Sequence, residues 1–305
     1  MVPTELSQRV LVAVVGIPIA VAAIYLGGWV LGGVLALVAA GGAVEVYRLA
    51  AANGVRAFVA PGALASGLYV LLAAARPDLA SVASAYWGLT LGLLLGVGVA
   101  ALPLRGTEGR PLTSIAVTVT GALLTGGTLA CALFLRHFIS EPTAGPAPFG
   151  IGSRDAWTGA AIVAFPIALT WINDSCAFFV GRRFGRRKLV PAISPGKTVE
   201  GAIGGLVGTV LIGLGYAALV LDRWLGLPFS PALGAAAGVL ISIVAQIGDL
   251  VESLLKREAR VKDSGRIFPG HGGILDRFDA LFFTLPVMYW YLSVVVAALG
   301  GAPWR

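Results

Sequence analysis

The sequence predicts an all-α polytopic membrane protein, a bundle of about nine transmembrane helices. Three observations carry this. Apolar residues make up 57% of the 305-residue chain and charged residues 12%, with a mean hydropathy of +0.89; a soluble domain carries about twice that charge fraction. Runs rich in Leu, Val, Ala and Gly persist for about 20 residues at a time, the length at which a helix crosses a hydrocarbon layer of roughly 30 Å. Lipid cannot satisfy backbone polar groups, so such runs must pair them internally, as helices do. The sequence shows none of the sustained apolar–polar alternation of a membrane barrel, and its 42 glycines suit close helix packing in lipid.

Nine spans follow in order: residues 10–27, 29–44, 58–75, 85–104, 114–138, 157–180, 201–221, 231–255 and 279–300. The first two are divided at Gly27-Gly28, because residues 10–44 are too long for one crossing helix and the glycine pair offers a turn. A single helix there would leave eight spans and move the N-terminus to the other side. Arg9 followed by an apolar run is similar to a signal peptide, but the same pattern recurs along the chain, so the segment reads as an uncleaved first span. With the N-terminus inside, all but five of the 22 Lys and Arg (Arg76, Arg136, Arg154, Arg223 and Arg305) fall on the N-terminal side. Positive charge marks that side as cytoplasmic. The net charge of +7 is therefore read as membrane topology, not as a nucleic-acid partner. Cys131 and Cys176 lie in apolar segments without metal-ligand spacing and read as small core residues, not a disulfide. Residues 1–155 hold little besides apolar spans, a scaffold of transmembrane helices. Residues 156–305 hold almost every polar residue within or beside a span, so the catalytic region is sought there.

Three constellations offer chemistry. Asp174, Asp249 and Glu252 are carboxylates inside spans. Such groups are costly in lipid and face a cavity, a partner or an ion; the plainer alternative is a structural ion pair. Asp249, Glu252, Ser253 and Lys256 fall at i, i+3, i+4 and i+7, one stripe of a helix that ends where span eight meets the cytoplasm. A carboxylate to hold a hard cation and an ammonium to meet phosphate oxygens suit a metal-bound phosphate. The loop after it runs from Lys256-Arg257 through Lys262-Asp263-Ser264-Gly265 and Pro269-Gly270-His271-Gly272-Gly273 to Asp276-Arg277-Phe278-Asp279. Its glycines permit tight turns and close approach to a ligand. Asp276 and Asp279 either face one cation or cap the next helix, and His271 either contacts phosphate, moves a proton or orders the turn. One His without a Cys partner argues against zinc. The third constellation, between spans six and seven, combines the basic run Arg182-Arg183-Phe184-Gly185-Arg186-Arg187-Lys188 with Ser194-Pro195-Gly196-Lys197-Thr198-Val199-Glu200-Gly201. It is only loosely similar to a Walker A loop, whose upstream glycine spacing it lacks. Lys197, Thr198 and the amides of a helix start still suit phosphate. The basic run serves either that chemistry or orientation against anionic lipid. No Ser-His-Asp set and no candidate thiolate accompany these groups. Phosphoryl and nucleotidyl transfer, which need mainly positioning and charge neutralisation, fit what is present.

Taken together, Ser253-Leu-Leu-Lys256-Arg257, Lys262-Asp263-Ser-Gly265, Phe268-Pro269-Gly-His271-Gly272-Gly273 and Asp276-Arg277-Phe-Asp279 resemble the signature of the phosphatidate cytidylyltransferases, or CDP-diacylglycerol synthases. The Asp174 segment, Gly181-Arg182-Arg183-Phe184-Gly185 and residues 194–201 are similar to the family's other motifs, in the same order. The resemblance covers residues from about 170 to 280, while residues 1–155 contribute hydropathy alone. Phe178 and Ala280 depart from the family's commoner Tyr and Ser, and neither removes a charge. The resemblance implies transfer of the cytidylyl group of CTP to phosphatidate, giving CDP-diacylglycerol and pyrophosphate for phospholipid synthesis. It implies magnesium, with room for potassium as a second cation, and a homodimer; the Lys and Arg distribution puts the site at the cytoplasmic face, and the Ala, Gly, Val and Arg usage points to a bacterial inner membrane. By residue it implies Asp249, Ser253, Lys256 and Asp276 as catalytic, with Asp249 and Asp276 as metal ligands, joined by the candidates Asp279 and Asp174. Ser194, Lys197, Thr198, Glu200, Arg257, Lys262, Asp263, His271 and Arg277 are the candidate substrate-binding residues. Two rivals remain: a CTP-dependent polyprenol kinase, which would transfer the γ-phosphate, and an ion-coupled transporter using Asp174, Asp249 and Glu252.

Overall fold

The structure, a computed structural model, describes residues 5–139, 154–267 and 272–299. In chain order it forms α1 (Glu5–Leu26), α2 (Gly28–Ala52), α3 (Val59–Ala75), α4 (Leu79–Arg105), α5 (Pro111–Ala122), α6 (Cys131–Arg136) and α7 (Arg154–Phe184). A hairpin of β1 (Lys188–Val190) and β2 (Ser194–Thr198) follows, then α8 (Val199–Tyr216), α9 (Pro231–Glu258), α10 (Leu275–Phe278) and α11 (Leu281–Ala298). Every predicted span coincides with a helical run. Seven runs among the described residues are long and apolar enough to cross a membrane, and residues 14–26 and 59–75 form shorter apolar helices. A π-helical turn, Leu123–Gly127, links α5 towards α6, and a second, Ala217–Trp224, extends α8.

The first apolar region divides where the sequence places the break. Gly27 (φ 62°) and Gly28 (φ 45°) occupy backbone space that other residues rarely enter, so α1 cannot run on into α2. The carbonyls at the end of α1 have no intrahelical partners. Arg136 supplies them: its Nε donates to Ile24 O at 2.8 Å and its Nη2 to Tyr25 O at 2.7 Å. The guanidinium is thereby accommodated although the residue is only 4% exposed.

The chain divides into two compact units. The first contains α1 to α6 together with Leu255–Phe278, the last turn of α9 and the loop through α10; the second contains α7 through Leu254 and the chain from Asp279 onward. Inside the first unit Phe58, Ala65, Tyr69, Leu93, Val97, Ala101 and Ala122 form a buried apolar core. Polar groups within it pair with one another, as lipid demands. Tyr47 donates its hydroxyl to Thr118 O at 2.8 Å, Phe58 N donates to Thr118 Oγ1 at 2.8 Å, and the hydroxyls of Ser66 and Thr125 lie 2.7 Å apart. In the second unit α7 and α8 meet through small residues. Gly201, Gly205 and Gly208 of α8 leave no space for a side chain against Ala177, Asn173 and Cys176 of α7. Thr170 and Thr284 tie α7 to α11 at 3.2 Å. Both cysteines are free.

Candidate active site

The second unit builds its site from the hairpin and the helices beside it. β1 and β2 pair antiparallel, Lys188 opposite Thr198 and Val190 opposite Ser194, and β2 runs directly into α8. Thr198 is the N-cap of α8, its Oγ1 accepting from Gly201 N at 3.1 Å. Glu200, in the first turn, accepts from Arg186 N at 2.9 Å and Arg187 N at 3.2 Å. A carboxylate there complements the positive end of the helix and holds the backbone of the basic run in place. The residue that the sequence proposes for substrate therefore braces the loop. Lys197, one position before the cap, reaches Asp249 of α9, Nζ to Oδ2 at 2.6 Å.

Lys197, Thr198 and Asp249 line a cavity of about 520 Å³, with Asp174, Arg182 and Ser194 among its other walls. Buried polar groups fix the wall at Asp174. Asn173 donates to Asp174 Oδ1 at 3.2 Å and accepts from Ser242 Oγ at 2.7 Å, while Gln246 Nε2 donates to Ala202 O at 3.3 Å. Cations, hydroxyls and carboxylates thus share a chamber large enough for a small polar molecule.

Beside it, carboxylate oxygens of Asp249, Glu252 and Asp279 lie within 4.8 Å of one another. Asp249 and Glu252 meet because three residues on a helix return to the same face; Asp279 opens the chain into α11 and accepts from Ala280 N at 2.7 Å. Ser253 donates to Asp249 Oδ1 at 3.3 Å. Three anionic groups this close repel, and Glu252 is only 5% exposed. A hard divalent cation, which prefers oxygen ligands, resolves that repulsion, so the donor set fits such an ion.

The first unit organises the glycine-rich loop around Asp276. Lys256 Nζ pairs with Asp276 Oδ1 at 2.8 Å. Oδ2 accepts from Ser264 N at 2.8 Å and Gly273 N at 2.8 Å, and the Ser264 hydroxyl, whose single proton it shares with Glu45, lies 2.9 Å away. A residue that sequence reasoning passed over lies behind them. Glu45 of α2 is 0% exposed and accepts from Ser264 Oγ at 2.8 Å, Ile274 N at 3.0 Å and Leu275 N at 2.9 Å. A β-carbon at Gly265 or Gly273 would run into this carboxylate, which explains the glycine at both positions. Arg257, Lys262, Asp263 and Arg277 are exposed, with Arg257 Nη1 donating to Val261 O at 3.4 Å. His271 lies outside the described residues.

Of the four predicted metal ligands, Asp249 and Asp279 come together and are joined by Glu252. Asp174 lines the cavity, and Asp276 is engaged by Lys256, Ser264 and Gly273. Glu252 was legible on the polar stripe. The signal for Glu45 was its lone carboxylate at the end of an otherwise apolar run.

Comparison with known proteins adds to this geometry. Residues 7–295 match the cytidylyltransferase family. The chain is 33% identical over 307 residues to a phosphatidate cytidylyltransferase of Synechocystis sp., covering 97% of this chain and 99% of that protein. It is 39% identical over 220 residues to YnbB of Escherichia coli, an uncharacterised protein, covering 68% and 69% of the two chains. A phosphatidate cytidylyltransferase of Bacillus subtilis shares 43% identity over 136 residues, 45% of this chain and 49% of that one.

Proposed function

The chain belongs to the cytidylyltransferase family, and on that premise we propose that it transfers the cytidylyl group of CTP to phosphatidate, giving CDP-diacylglycerol and pyrophosphate for phospholipid synthesis. The observation that carries this is the cavity of the second unit, lined by Lys197, Arg182, Asp174 and Asp249 next to the three-carboxylate group. Cationic side chains for phosphates and oxygen ligands for a hard cation are what the joining of two anions requires.

In this reading an oxygen of the phosphatidate phosphate attacks the α-phosphorus of CTP in line. The new P–O bond forms as the bond to the β-phosphate breaks, and pyrophosphate leaves. The attacking oxygen is already anionic, so no side chain has to remove a proton. Lys197 and Arg182 receive phosphate charge, and Ser194 and Thr198 give the chamber hydroxyls. Asp249, Glu252 and Asp279 would hold a divalent cation, magnesium, whose charge would offset that on the transferring and leaving groups. Ser253 orients Asp249. On the first unit, Lys256, held by Asp276, is read with Arg257, Lys262 and Arg277 as a further set of cationic contacts for phosphate. By the family resemblance Asp263 and His271 are further substrate contacts, and potassium would serve as a second cation.

The distribution of Lys and Arg supports a site on the cytoplasmic side of the membrane, and the bacterial relatives support an inner membrane. The homodimer rests on the family resemblance. Purified protein given phosphatidate, CTP and magnesium should release one pyrophosphate per CDP-diacylglycerol formed. Release of CDP with a phosphorylated lipid would make it a kinase, and no nucleotide turnover by folded protein would favour a transporter.

A further inference from the structure

Glu45 stands out among the buried polar groups of the first unit. It is fully buried in α2, in a run long and apolar enough to cross a membrane, where a carboxylate without a purpose is strongly disfavoured. Its partners lie 219 to 230 positions further along the chain. Two are the amides of Ile274 and Leu275 at the start of α10, which a helix leaves without intrahelical acceptors. The third is the hydroxyl of Ser264, and that hydroxyl also touches Asp276 Oδ2. Asp276 in turn holds the Lys256 ammonium. The side chains therefore form a continuous relay from Glu45 through Ser264 and Asp276 to Lys256.

We propose that Glu45 is a positioning residue for the reaction, fixing Asp276 and Lys256 through Ser264 and the first turn of α10. This rests on the reading of Asp276 and Lys256 as groups that handle the CTP phosphates. The relay has two anchors at its base, the α10 amides and the Ser264 hydroxyl. Losing either lets Asp276 tilt away from Lys256. Gly265 and Gly273 serve the same end, since a side chain at either would displace the Glu45 carboxylate. The helices before residue 155 are then part of the catalytic apparatus as well as its scaffold.

The test uses the full-length purified protein and the variants Glu45→Gln, Ser264→Ala, Asp276→Asn and the double variant Glu45→Gln/Asp276→Asn. Gln keeps the volume of Glu45 but halves its accepting capacity. Glu45→Gln should lower kcat/KM for CTP about 10–100-fold, the scale usual for groups that orient a functional ligand. The KM for phosphatidate should stay at the wild-type value, while the melting temperature falls modestly because a buried donor loses its acceptor. In the double variant the Gln should add little to the loss already caused by Asp276→Asn, because both cut the same relay. A fall in kcat together with the melting temperature, with KM for CTP unchanged, would overturn the proposal in favour of a purely structural role. Should Glu45→Gln fail to fold, Ser264→Ala, which leaves both backbone contacts in place, must show the CTP-specific loss; wild-type kinetics would overturn the proposal. Wild-type kinetics in Asp276→Asn would instead overturn the underlying reading of Asp276. A crippled Asp276→Asn beside an unaffected Glu45→Gln would remove Glu45 alone.

Discussion

Replacing Lys197 by Met should tighten divalent-cation binding while weakening the use of CTP. Lys197 Nζ lies 2.6 Å from Asp249 Oδ2, with side-chain exposures of 23% and 33%. The ammonium competes with a cation for the carboxylate that anchors the Asp249, Glu252 and Asp279 group. Two unit charges about 4 Å apart attract by about 4 kcal/mol at an effective dielectric of about 20. Partial exposure screens the pair, bringing its net worth towards about 1 kcal/mol. At about 1.4 kcal/mol per tenfold, removing the competitor should strengthen cation binding in the absence of nucleotide about fivefold. The same substitution removes a phosphate-binding charge, so KM for CTP should rise. Manganese titration of purified protein, followed by the loss of free-ion paramagnetic resonance, reads the first effect; initial rates read the second. Manganese binding that is unchanged or weaker in Lys197→Met would refute the idea that Lys197 and the cation share Asp249.

One further expectation follows from a helix end. Thr198→Val removes the cap of α8 and leaves Gly201 N without its acceptor. The cost should be about 1 kcal/mol, read as a melting temperature lowered by about 2–4 °C.

The membrane helices were legible in the sequence because hydropathy over about 20 residues is a local property that lipid enforces. The break at Gly27 was legible for the same kind of reason: a glycine pair in an overlong apolar run has few other uses. Asp249, Glu252 and Ser253 could be placed on one face from helical spacing alone. That Asp279 joins Asp249 and Glu252 could not, because the meeting of α9 with the start of α11 is a matter of packing. The hairpin was hidden by Pro195 and Gly196, which argue against a strand in isolation, yet β2 pairs with β1 and delivers Thr198 to the cap of α8. Glu45 was the deepest omission. One carboxylate at the edge of span two reads as the end of a span, and only the fold shows its acceptors filled by a loop more than 200 residues away.

The central claim is that CTP is cut between its α- and β-phosphates and that the cytidylyl group reaches phosphatidate through the site at Asp249. Wild-type and Asp249→Asn protein, both shown to be folded in detergent, would be given phosphatidate, magnesium and CTP labelled separately at the α- and γ-phosphates. The account predicts α-label in the extracted lipid, γ-label in released pyrophosphate, and less than about a tenth of wild-type turnover in Asp249→Asn, the loss expected when a charge-stabilising group of the reaction is removed. Gamma label in the lipid, or near-wild-type turnover in Asp249→Asn, would contradict it.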